Sequence, residues 1–440
     1  MYFSVLSTLT TLSLLSLTSA RSLPHAPNSK ISVRSVVPSR PRSIPVVTDN
    51  VLELTKKSTG SSKVRSAAQF LKNLDIVNGS STALISLFGG EQFATDITFG
   101  TQTFEVIVDT GSSDTWLAET GFSCVDLDTG KNASEATCAF GPTYTKDSTF
   151  KAISGEEFSI TYGDGEYLTG VVGSQPVTFA GINVTTTVAL VTSAAWNGDG
   201  TTSGLVGMAY PGLTSAYNGS TRLFYNPIFT TMYEEGLVDS LFSLAIERDV
   251  SGPAGYLALG GVPPVDFVQD FASTPILVTS ITRYRQGYDF YTIKIDAAYL
   301  NGKAISGAAT PQYVVDSGTA LNYLPTAMAN AINKAFVPAA VYSSDQGAYA
   351  VSCTAVPPVF GIEIGGKVFY TNPLDMIIYK GTDDGKDVCI SGINDSGSDD
   401  ANALYILGDT FQKNVVTVFD VGAGVLQFAA RENYTSNDTY

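Results

Sequence analysis

A short pattern occurs twice along this 440-residue chain. Residues 106–116 read VIVDTGSSDTW and residues 314–324 read VVDSGTALNYL. Each is an apolar run closed by Asp, then Thr or Ser, then Gly, then a hydroxyl residue. A second pattern follows each copy: Leu205-Val206-Gly207 within GLVGMAY, and Ile406-Leu407-Gly408 within YILGDTF. The interval is 98 residues from Asp109 to Gly207 and 92 from Asp316 to Gly408. Two motifs in one order at matching intervals argue for a duplicated folding unit. Short β-prone runs lie between turn signals, among them EVIVD, EEFSITYG, GYLALGG, YTIKID, QYVVD, GIEIG and NVVTVFD. Helical signals are few, and Thr326–Phe336 after Pro325 is the strongest. The body is therefore read as mostly β, with one lobe over 81–275 and its copy over 276–440.

Composition narrows the chemistry. The single histidine is His25, near the N-terminus. A Ser-His-Asp triad, a Cys-His dyad and a His-ligated zinc site all need a placed imidazole. If the leading segment is removed, none of them can form, and carboxylates, hydroxyls and backbone dipoles remain. A net charge of −16 and a pI near 4.4 argue against nucleic acid or an anionic membrane as partner. Hydrophobic residues at 44% suffice for a sizeable core.

Residues 1–20 carry no charge, are Leu-rich and end in Thr18-Ser19-Ala20, the pattern of a cleaved secretory signal. Residues 21–80 hold ten basic and three acidic residues, whereas 81–440 hold 15 basic and 38 acidic. Opposite charge on two parts of one chain favours docking of the first on the second, so 21–80 is read as a basic prosegment that acid would loosen. The even count of four cysteines fits disulfides in a secreted chain. Of three connectivities, the short one, Cys124–Cys138 and Cys353–Cys389, keeps each bridge in one half. Sequons begin at Asn78, Asn132, Asn183, Asn218, Asn394, Asn433 and Asn437 and fit the same route. Extracellular delivery is favoured over a vacuole.

An Asp closing a strand is ordinarily a turn residue. Two copies in a duplicated frame alter that reading, because a two-fold arrangement can bring Asp109 and Asp316 together. Gly111 and Gly318 would permit close approach of the two loops. Thr110 and Ser317 could bond across to the opposite loop, and Ser112 and Thr319 could donate to the outer carboxylate oxygens. Two adjoining carboxylates share one proton, leaving one as base and its partner as acid. A water between them could then attack an amide with no metal, cofactor or covalent intermediate.

On these motifs the chain resembles the pepsin-like aspartic endopeptidases, of the secreted fungal kind, over roughly residues 85–430. The resemblance implies a bilobal fold of two duplicated β-barrel-like lobes around a central cleft. It implies that Asp109 and Asp316 are the catalytic pair, and that FSITYGDGEYLTG, residues 158–170, is a flap over the cleft. Tyr162 and Gly163 then belong to the flap, with Trp116 as hydroxyl partner of Tyr162. Asp164 matches a position associated with accepting Lys before the scissile bond, though an Asp in YGDGE is equally a turn former. Ile107, Trp196 and Leu205 match pocket walls, and both disulfide positions fall in family order. The resemblance further implies a monomer acting on proteins or peptides, held silent by its own prosegment and blocked by pepstatin-type inhibitors. Two rivals remain. One is a catalytically silent pepsin-fold binder or inhibitor, which typically loses one of the residues kept here. The other is a carboxylate-pair glycosidase, which does not call for duplicated Asp loops.

Overall fold

The computed structural model describes residues 34–35, 45–57, 92–162, 165–247, 254–282, 285–309, 311–344, 346–399 and 404–431. Its elements are mostly strands, as the β-prone runs imply. In the first lobe, Gln102–Asp109 is the strand that delivers the first repeated acid. It is flanked by Gln92–Phe99, antiparallel, and by Gly204–Gly207, parallel, with Gly207 opposite Asp109. Pairing on both edges buries its last four residues without alternation, which is why EVIVD reads as a solid apolar run. In the second lobe Gln312–Val315 takes the same place, parallel to Leu404–Leu407 and antiparallel to Thr292–Ile293. The parallel neighbour in each lobe then pairs antiparallel with the strand that follows the Asp loop, Leu205 opposite Trp116 and Ile406 opposite Tyr323. The duplicated motifs are thus one three-strand device built twice.

The two glycines that end the second motif are required by this device. A Cβ on Gly207 would meet the carbonyl carbon of Ser113 at 2.5 Å, and one on Gly408 would strike the Thr319 and Leu321 carbonyl oxygens. Each parallel strand passes too close to the loop behind its Asp for any side chain.

The lobes are joined by a continuous run of paired strands within a 16-stranded sheet. At the junction lie Leu241–Ile246, Gly255–Leu259, Val415–Asp420 and Val425–Ala430. Phe242 stacks on Phe419 at 4.5 Å between ring centroids, and Tyr291 meets Phe419 edge-on at 4.7 Å, so the core is shared across the join. A strand from the basic leading segment, Val51–Lys57, lies between Gly255–Leu259 and Gln92–Phe99. Its Leu54 is fully buried.

The helix expected at 326–336 spans Thr326–Lys334 and buries Met328, Ala329, Ile332 and Asn333 on one side. It stops early because Pro338 bars Val337 from helical backbone. Of YTIKID only Thr292–Ile293 is strand. The two disulfides are Cys124–Cys138 and Cys353–Cys389, with Cα atoms 5.9 and 5.3 Å apart. Asn132, Asn183 and Asn218 are exposed. Asn394 corrects the sequon expectation: it is 1% exposed and its Nδ2 donates to Gly347 O at 2.9 Å, so the folded protein has no room for a glycan there. Asn78, Asn433 and Asn437 and the leader 1–20 lie outside the described residues.

Candidate active site

The two Asp loops meet at the centre of the molecule, each 4% exposed at its acid. Their contact is reciprocal. Thr110 Oγ1 donates to Val315 O at 3.1 Å and accepts from Ser317 N at 2.9 Å. Ser317 Oγ donates to Val108 O at 3.0 Å and accepts from Thr110 N at 3.2 Å. Four bonds cross the two-fold relation and fix one loop against the other. Within each loop the glycine N–H turns back on the acid, Gly111 N to Asp109 Oδ1 at 2.7 Å and Gly318 N to Asp316 Oδ1 at 2.8 Å. The hydroxyls hold the second oxygens: Ser112 Oγ donates to Asp109 Oδ2, and Thr319 Oγ1 to Asp316 Oδ2 at 2.6 Å.

The glycines also show how close the acids are. A Cβ on Gly111 would lie 2.6 Å from Asp316 Oδ1, and one on Gly318 would strike Asp109 Oδ1. Each carboxylate therefore sits over the opposite glycine, and the two acids are close neighbours. Two buried acids this close cannot both ionise easily. Burial pushes both acids above their ordinary range, and Asp316 is pushed well above it because the Asp109 charge adds to burial. The Ser112 hydroxyl and Gly111 amide draw Asp109 part of the way back. The pair therefore shares one proton, one member serving as acid and the other as base.

Above the pair is the hairpin of Lys151–Thr161 and Tyr167–Phe179. Tyr162 is 1% exposed, and its hydroxyl accepts from Trp116 Nε1 at 2.8 Å. Burial and then the Asp109 charge hold its phenol well above 10, so it stays protonated. Trp196 joins the same cluster, its ring 5.2 Å from Trp116 and 5.7 Å from Tyr162. Leu205 lies opposite both Ile107 and Trp116 on adjoining strands. Tyr162 and the three expected wall residues are therefore brought to one neighbourhood. Gly163 and Asp164 lie outside the described residues.

A sequence profile described as eukaryotic aspartyl protease matches residues 92–431. The chain belongs to this family. A protein named probable aspartic-type endopeptidase in Aspergillus fumigatus is 48% identical over 398 residues, covering 89% of this chain and 90% of the relative. A cathepsin D of Chionodraco hamatus is 30% identical over 358 residues, 77% and 81% of the two chains. The crystal structure of an aspartic proteinase from Irpex lacteus superposes with a TM-score of 0.62 at 20% identity, over 79% of this chain and 96% of that one. That likeness is one of fold.

Three residues of this aspartyl protease stand out in the structure and not in the sequence. Asp114 is fully buried behind the first Asp loop; its Oδ1 accepts from Ser215 N at 2.9 Å and from the Tyr225 hydroxyl, while Oδ2 has no hydrogen-bond partner. The second repeat has Leu321 at that place, so the duplication offered no hint of it. Phe140 arrives from the disulfide-closed excursion 121–144 and stacks on Trp196 with an interplanar angle of 11°. Glu166, just past the flap tip, is 1% exposed. A charge beside Gly-Asp-Gly reads as a solvated turn, which hid it.

Asp114 has a consequence for stability. Burial raises its pKa, only partly offset by the bonds from Tyr225 and Ser215. Asp109 and Asp316 are raised by burial as well. A carboxyl raised on folding favours the native state fully below its unfolded pKa, near 4, and that contribution is lost as pH rises through the folded pKa. Native stability should therefore fall from about pH 4 towards neutrality, by up to about 1.4 kcal/mol per pH unit for each proton released. Asp114→Asn should flatten the decline by about one proton in melting curves taken every half unit. Identical slopes for variant and parent would show that Asp114 does not titrate on unfolding.

Proposed function

We propose that this protein is an acid-acting endopeptidase in which Asp109 and Asp316 activate one water for attack on a peptide carbonyl. The carrying observation is the reciprocal seat of each carboxylate on the other loop's glycine. In the mechanism, Asp109 takes a proton from the water as Asp316 donates its own to the carbonyl oxygen. Collapse of the resulting gem-diol passes a proton to the leaving amine. Paired acids sharing one proton are general to aspartic proteases, and the Ser112 and Thr319 hydroxyls hold the pair in register. The hairpin bearing Tyr162 closes over the pair and excludes water. Ile107, Trp196 and Leu205 favour large apolar side chains next to the scissile bond, and Asp164 would admit Lys.

We further propose that the chain is made as a secreted zymogen. The leader 1–20, the charge contrast of 21–80 with the body and the two disulfides support this reading. Under it, maturation withdraws Val51–Lys57 from between its two neighbours, and another segment must refill the gap. The test is incubation of the full-length protein at pH 3–5 with denatured casein, with and without pepstatin, followed by mapping of the cut sites and of the new N-terminus. Pepstatin-sensitive cuts beside large apolar residues and Lys are expected. No cleavage after acid treatment would favour the silent binder.

A further inference from the structure

Glu166 opens the returning arm of the flap and is buried, although the rest of that turn is polar. Its main-chain carbonyl accepts from Tyr162 N at 2.8 Å, which closes the hairpin on the tyrosine itself. Its side chain reaches outside the hairpin: Oε1 accepts from Asn197 N at 2.8 Å. Asn197 follows Trp196, the ring that packs on both Tyr162 and Trp116. The loop beyond is fastened in turn. Gly198 N donates to Cys138 O at 3.0 Å and Gly200 N to Ala139 O at 2.7 Å, and Cys138 is bridged to Cys124. A Cβ on Gly198 would strike the Ala139 carbonyl oxygen, so the two loops touch backbone to backbone.

These contacts form one chain of attachment from the disulfide, through the 196–202 loop, to the flap. Burying an acid is costly unless its oxygens are bonded. A carboxylate kept here for its reach is better explained by the link it makes than by solvation. We propose that Glu166 is a flap-positioning residue, its carboxyl oxygen fixing the hairpin to the disulfide-anchored Trp196 loop and so setting where Tyr162 stands over Asp109. The inference rests on the peptidase reading for its kinetic consequence, but its structural half does not. The chain has two tryptophans, Trp116 and Trp196, and both lie in this cluster. Intrinsic tryptophan emission therefore reports on this cluster.

The test compares Glu166→Ala, Glu166→Asp and Glu166→Gln in the acid-activated protein. Gln keeps an acceptor oxygen at the same reach; Asp keeps the charge but is one methylene short. Ala and Asp should each raise KM for a quenched peptide about tenfold with a smaller fall in kcat, and shift tryptophan emission to the red as Trp196 gains solvent. Gln should restore both readouts to within about twofold of the parent. If Ala does not fold, the Asp and Gln pair carries the comparison. Parental KM and emission in Asp, or a Gln variant as impaired as Asp, would overturn the proposal. If the parent hydrolyses no peptide, the peptidase reading fails by itself, and the emission comparison still decides the link.

Discussion

Asp316→Asn should lower peptide hydrolysis about a thousandfold or more while leaving the fold in place. The amide keeps the acceptor for Gly318 N and the shape that fits over Gly111. It cannot hold the transferable proton, so the carbonyl oxygen of the substrate gains no acid. Asp109→Asn should be as severe for the opposite reason, since no base is left to take the proton of the water. The two changes should not add: either removes the shared proton on which both roles depend. Single-turnover rates on a quenched peptide, beside melting curves showing folded variants, check this. A double variant slower than either single by the product of their effects would mean that the acids work independently.

Gly111→Ala or Gly318→Ala should cost about a hundredfold in kcat although neither glycine bears a reacting group. The added methyl carbon would sit 2.6 Å from Asp316 Oδ1 in the first case and clash with Asp109 Oδ1 in the second. Relief requires the opposite carboxylate to move by several tenths of an ångström, which breaks its bond to Ser112 or Thr319 and spreads the pair. Distortion should appear in kcat more than in stability, because the four Thr110 and Ser317 bonds that join the loops remain. Full activity in both alanine variants would show that the acids are not as tightly opposed as the loops place them.

Much of this site was legible because it was written twice. A single Asp-Thr-Gly is an ordinary turn, whereas two copies at matching intervals, each followed by an apolar pair and Gly, define a device that geometry can pair. The glycines and hydroxyls of both loops follow from that device. Asp114 and Glu166 were not legible, since neither recurs in the second half and their meaning lies in burial. Phe140 was not legible either, because a disulfide-closed excursion has no periodicity from which a packing direction can be read. Asn394 misled for a related reason: a sequon is local, but its amide nitrogen donates to the carbonyl of Gly347, far along the chain. The basic segment was marked by charge, while the place of Val51–Lys57 in the middle of the shared sheet depends on partners around 94 and 256.

Asp109 and Asp316 are expected to hold one proton between them. The dependence of kcat/KM on pH for a single peptide tests it most directly. A bell is expected, its lower limb where the pair takes a second proton and its upper limb where it loses the shared one. A single rise to a plateau at neutral pH would contradict it, because a lone carboxylate base would then suffice.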